Sequence, residues 1–179
     1  MIVKDYHGEK RIYEIRQAKG RPAKDIDYIT AAWLQAYKQS PEQDMPGFVA
    51  RDYYHYTHKK LDQIIPRASA KGSCYMCHEN GYPDEFRGFL VAEAFEDFPP
   101  VVHWLQVKKA HKRQGVATAL LEQFFYDFNL GVPDALVYTF SSSDMKRRKQ
   151  IRERFEEKGI RLLYIPDMKS TLNEPDWEA

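Results

Sequence analysis

The stretch whose reading decides the fold is LQVKKAHKRQGVATALLEQFF, residues 105–125. It starts as an apolar, strand-like run ending at Val107 and passes through Lys108, Lys109, Lys112 and Arg113. After one glycine, Gly115, it continues with Val116, Leu120, Leu121 and Phe124 at helical spacing. The chain has 27 basic against 26 acidic residues, a formal net charge of +1. Such a balance gives no global attraction to nucleic acid or an anionic membrane, so any anion site must be a local cluster. A helix start provides one. Its first N–H groups lack intrahelical acceptors and carry about half a positive charge. Residues 113–118 supply those donors, Gly115 lets the backbone approach a ligand closely, Ala117 keeps the next position small, and Lys112 and Arg113 add charge.

Upstream, VVHWLQV (101–107) reads as the strand feeding this junction, and FRGFLVAEAF (86–95) and SCYMCHE (73–79) as two strands before it. Asn80-Gly81 and the proline pair at 99 and 100 are turn signals, and connections this short favour an antiparallel meander. Downstream, ALVYTF (135–140) reads as a fully buried strand of the parallel kind, so 101–140 is a strand–helix–strand crossover. SSSDMKRRKQIRERFEEKG (141–159) reads as a charged helix capped by serine and ended by Gly159, and IRLLYIP as a closing strand. At the other end, RIYEIRQA (11–18) is a first strand and IDYITAAWLQAY (26–37) a first helix. A second helix runs from about Phe48 to Ile65 and stops at Pro66.

A chain of 179 residues suits one domain, read as residues 1–172 with a short C-terminal tail at 173–179. No run of about eighteen apolar residues occurs, and the first ten residues have no apolar centre. The expectation is a soluble, cytoplasmic protein. Cys74 and Cys77 spell C-x-x-C-H, but on a strand they point to opposite faces, and no second ligand pair follows, so they read as structural thiols with no metal.

The element order β-α-α-β-β-β-α-β-α-β, with KRQGVA at the fourth-strand to third-helix junction, resembles the GNAT acyltransferase superfamily. The family pattern there is Arg or Gln, two residues, Gly, one residue, then Gly or Ala. Lys112, Gly115 and Ala117 fill it, with Lys112 departing from the planar fork of Arg. FRGFLV resembles the family's Gly-aromatic pair. The fold class this implies is α/β (α+β): a mixed, mostly antiparallel central sheet of about six or seven strands flanked by about four helices.

The resemblance also implies an N-acetyltransferase that takes an acetyl or other acyl group from acetyl-coenzyme A to an amine. The cofactor arm lies along the 101–107 strand beside Leu105 and Val107, and the pyrophosphate sits on Lys112, Arg113, Gln114, Gly115, Val116, Ala117 and Thr118, with Ser143 touching the cofactor. Catalysis needs a base for the amine and a proton for the departing thiolate. His103 is the first candidate for base, acting directly or through water, with a structural histidine as the alternative; Glu93 is the weaker second, with a merely solvated strand-end carboxylate as the alternative. The family's usual acid is a tyrosine four residues before the glycine that ends the last helix. Here that position is Phe155, which has no proton to give; Tyr138 and Tyr164 are the substitutes on neighbouring strands. Trp33, Tyr37, Tyr53, Tyr54 and Tyr56 could stack on an acceptor, a small molecule or peptide amine. Two other readings stay open: a phage nucleic-acid-modifying relative of Mom type, using the KRRKQIRER face, and a non-catalytic interaction module. A homodimer is also left open.

Overall fold

The computed structural model describes residues 2–6, 9–18, 24–38, 63–66, 68–139 and 152–165. Its centre is one seven-stranded sheet in sequence order: β1 (Ile2–Tyr6), β2 (Glu9–Gln17), β3 (Cys74–Glu79), β4 (Tyr82–Glu93), β5 (Val101–Val107), β6 (Ala135–Tyr138) and β7 (Arg161–Tyr164). The pairs from β1 to β5 are antiparallel, and those from β5 to β7 are parallel. The change of direction follows from the connections. Two residues join β3 to β4, while a helix of twelve residues, α2 (Val116–Asp127), lies between β5 and β6. The sheet is therefore the mixed, mostly antiparallel one expected.

Helices cover both faces. On one, Val116, Leu120, Leu121 and Phe124 of α2 pack on Tyr75, Leu90, Ala92, Val102 and Leu136. On the other, Ile29 and Trp33 of α1 (Asp25–Lys38), with Ile64, Ile65 and Ala68, pack on Cys74, Met76, Phe89, Val91 and Trp104. Trp33 stacks on Trp104 with ring centroids 5.2 Å apart. Burial on both faces explains why β3 and the second half of β4 read as continuous apolar runs. Each wholly buried side chain such as Phe124 or Leu90 contributes about 1.5–3 kcal/mol. Asp25, fully buried in the first turn of α1, is held by both guanidinium nitrogens of Arg16, which ties that helix to β2.

Three expectations need correction. The sheet gains an N-terminal strand, β1, which forms a hairpin with β2 in the register Ile2↔Tyr13 to Tyr6↔Glu9; the stretch IVKDY is too mixed to announce a strand without that partner. β4 begins at Tyr82, inside the segment read as a turn. Its first residues bulge, because Glu79 pairs with Tyr82 while His78 pairs with Phe86, and Pro83 sits in the looped-out part where no ladder N–H is needed. Pro66 is itself helical, and residues 68–70 are helical again, so the proline marks no clean stop. Most of the second helix and residues 141–151 lie outside the described residues. The cysteines behave as expected: Cys74 and Cys77 are free, buried and on opposite faces. Among the described residues no group of side chains could hold a metal, and no helix is long and apolar enough to cross a membrane.

Candidate functional site

Two features at the carboxyl end of β5 build the site. The first is the junction to α2. After β5 the chain makes one 3-10 turn (Lys109–His111) and a short loop in which Arg113 and Gly115 both take positive φ, 66° and 78°. Gly115 is the N-cap of α2, where only glycine adopts that conformation without cost. As a glycine, Gly115 has no side chain to cap the helix, and no acidic residue occupies the first turn. Lys108, Lys109, Lys112, Arg113 and Thr118 are exposed around it, with Ala117 half-buried. The first-turn donors and the helix dipole therefore face solvent among cations, which is the chemistry of a phosphate seat.

The loop's shape is imposed from beneath. The Gln114 side chain is buried. Its amide accepts a hydrogen bond from the Tyr13 hydroxyl and donates one of 3.1 Å to the Ala110 carbonyl. Val116 is also buried, against the sheet. Only the backbone of these two residues can meet a ligand, because both side chains hold the loop onto β2 and β4. Gly88 completes the support: a Cβ there would lie 2.6 Å from the Gln106 carbonyl.

The second feature is the parting of β5 from β6. Their pairing covers Val101↔Val137 and Val102↔Tyr138, whereas β5 stays paired to β4 as far as Val107↔Gly88. Beyond Val102, no strand among the described residues pairs with β5 on the side away from β4; the His103 carbonyl there accepts from the Thr139 hydroxyl, and half-buried Leu105 and Val107 follow. A bulge sits where the strands part. Val91 faces Trp104 but Ala92 faces Val102, so His103 is the extra residue. A bulge places two consecutive side chains on one face, and His103 joins Trp104 on the α1 side.

There His103 meets Glu93, the other expected base. Nε2 lies 2.8 Å from the Glu93 carboxylate, and Lys71 Nζ lies 3.8 Å from its second oxygen. Glu93 is 0% exposed and His103 2%. Glu93 is therefore not a solvated strand end; the β4 alternation that buries Phe89 and Val91 carries it into the same layer. His103 is too enclosed to meet an amine directly. The Thr139 hydroxyl, half-buried just beyond the last β5–β6 pair, lies 3.5 Å from its Nδ1. Tyr138 and Tyr164 stack on each other, 5.0 Å apart, on the α2 face with Leu136 and Leu162 and across the sheet from His103. Phe155 packs against that same core. Ser143 and Tyr53, Tyr54 and Tyr56 lie outside the described residues. Sequence reasoning missed Lys71, Thr139 and the Tyr13 anchor, since nothing in an alternating strand or a loop lysine marks a partner dozens of residues away.

No protein-family model matches the chain, and no curated protein matches it. Solved structures do resemble it. PH1933 from Pyrococcus horikoshii OT3 aligns over 80% of this chain and 87% of its own, with TM-score 0.52 and 18% identity. A GCN5-related N-acetyltransferase from Ralstonia eutropha JMP134 covers 80% and 90%, with TM-score 0.49 and 14% identity. The PaiA N-acetyltransferase from Thermoplasma acidophilum, in complex with coenzyme A, covers 89% and 83%, with TM-score 0.45 and 14% identity. At such identities the likeness concerns the fold. Seven strands in this order, the turn from antiparallel to parallel pairing at β5, the bulge where β5 leaves β6, and the strand–glycine–helix junction that follows give this chain the fold of the GNAT acetyltransferases.

Proposed function

We propose that the protein is an acyl-coenzyme A-dependent N-acetyltransferase, moving an acetyl group from acetyl-coenzyme A to an amine. The observation that carries the reading is the junction at Gly115: a helix start with glycine as its N-cap, no acid in its first turn and four exposed cations around it, directly after a strand that no described strand pairs beyond Val102 on the side away from β4. These features fit coenzyme A. The backbone N–H groups of residues 115–118, with Lys112 and Arg113, would hold the pyrophosphate, and that side of β5 beside Leu105 and Val107 would take the amide-bearing arm. Acetyl-coenzyme A supplies the activated acyl group. The chain's own residues then handle the proton. Glu93 fixes the His103 ring, and His103 takes the proton that the amine must lose on becoming an amide. The acceptor is a small-molecule or peptide amine.

The test is turnover. Wild-type protein, acetyl-coenzyme A and a panel of primary amines (a diamine, a polyamine, an amino sugar and an α-amino peptide) should release free thiol above the rate without protein. Thiol release with none of them would refute acetyl transfer to amines and favour an interaction module.

A further inference from the structure

We propose that the Thr139 hydroxyl is a catalytic residue, relaying the proton between the amine, His103 and the departing sulfur; the proposal rests on the acetyl-transfer reading above. It starts from enclosure. His103 is 2% exposed, so neither ring nitrogen can be reached by a substrate without an intermediary. Nε2 is committed to Glu93 at 2.8 Å. In this relay the Glu93 carboxylate accepts from Nε2, so Nε2 carries the hydrogen and Nδ1 is left with a lone pair. The group on that side is Thr139. Its Oγ1 lies 3.5 Å from Nδ1 and 3.4 Å from the His103 carbonyl oxygen, between two acceptors on one residue.

Position supports the same role. The Thr139 backbone N–H bonds the Val102 carbonyl, so this residue is the first beyond the last β5–β6 pair and stands where the strands part. Glu93, His103 and Thr139 thus form a carboxylate–imidazole–hydroxyl series running from a fully buried strand end to the place where β5 and β6 part. Such a series serves a proton that must leave and return. As the amine nitrogen bonds to the thioester carbonyl carbon, one N–H proton passes to Thr139 Oγ1 while the hydroxyl's own proton passes to Nδ1. The resulting imidazolium faces Glu93. When the carbon–sulfur bond breaks, its electron pair leaves on sulfur, and the proton returns through Thr139 to the thiolate. No proton is gained or lost by the protein. The relay also replaces the acid that Phe155 cannot be.

Thr139→Val and Thr139→Ser separate this role from packing. In the thiol-release assay with the same amines, Thr139→Val should lower kcat roughly a hundredfold, the scale of a lost general acid–base group, at unchanged KM for acetyl-coenzyme A. Thr139→Ser, which keeps the hydroxyl and drops the methyl, should stay within a few-fold of wild type. A packing role predicts the reverse order, and that result would overturn the proposal. Nitrogen-15 NMR of the histidine rings should find His103 protonated on Nε2 alone; protonation on Nδ1 alone would also overturn it. If the wild-type protein transfers to no amine, the transferase reading and the relay fall together. If it transfers and Thr139→Val is as fast, only the relay falls.

Discussion

Gly88→Ala is the sharpest steric test of how the sheet supports the cofactor junction. Gly88 lies on β4 opposite Val107, and an added Cβ would sit 2.6 Å from the Gln106 carbonyl oxygen, 3.2 Å from Val116 Cγ1 and 3.3 Å from Val107 Cγ2. The first contact decides the outcome. The oxygen belongs to the backbone, so no rotamer change relieves it, and it must retreat by about 0.8 Å to reach ordinary contact at 3.4 Å. Overpacking of this kind costs about 1–3 kcal/mol. The restricted unfolded chain returns about 0.4–1 kcal/mol of that, which leaves a mid-range net loss of about 1.3 kcal/mol. For a chain of this length each kcal/mol moves Tm by about 2–4 °C, so thermal melting should fall by about 3–5 °C. Because Val107 and Val116 stand at the two ends of the loop, the rise in Tm produced by coenzyme A should also shrink. A variant that melts with wild type and binds coenzyme A as tightly would refute the claim that Gly88 is small for the sake of this junction.

Other outcomes follow from single contacts. Tyr13→Phe removes the hydroxyl that holds Gln114 and should cost about 0.5–1.5 kcal/mol by urea unfolding, with weaker coenzyme A binding in titration calorimetry. Glu93→Ala leaves the enclosed His103 ring without its partner; a stability loss of about 1–3 kcal/mol is expected, with the ring NMR signals moving toward a mixture of tautomers. Burial pushes the thiols of Cys74 and Cys77 up to about 12 from an ordinary 9.0, so neither should react with iodoacetamide at pH 8 until the protein is unfolded. The same shift sets a sign. The unfolded thiols ionise first, so their contribution to stability is complete below pH 9 and is lost as pH rises toward about 12, which denaturant melts across that range would show.

The sequence carried the parts of this fold whose signals are local. Strand Val101–Val107 ends where its apolar run ends, Asn80-Gly81 turns the chain as that dipeptide should, and the α2 stripe buries Val116, Leu120, Leu121 and Phe124. What depended on a partner was hidden. β1 is a strand because β2 lies beside it, and the mixed sequence IVKDY cannot announce that. The bulge at His103 leaves no trace in VVHWLQV, yet it turns His103 onto the face of Glu93, so two residues read as rival bases become one hydrogen-bonded pair. Gln114 was legible as a loop residue but not as a buried anchor, because its partner Tyr13 is a hundred residues away in sequence and adjacent only in the sheet.

The central claim is that the start of α2 is a seat for the coenzyme A pyrophosphate, and Ala117→Glu tests it most directly. Ala117 is half-buried in the first turn of a helix with no acid there. A carboxylate at that position favours the helix dipole and should leave folding intact or slightly improved, while it occupies and repels the anion's place. Titration calorimetry of acetyl-coenzyme A into the wild-type protein and into Ala117→Glu should show saturable binding to the first. The second should bind at least tenfold more weakly at an undiminished Tm. Equal affinity of the two proteins, or no binding to wild type at millimolar ligand, would contradict the account.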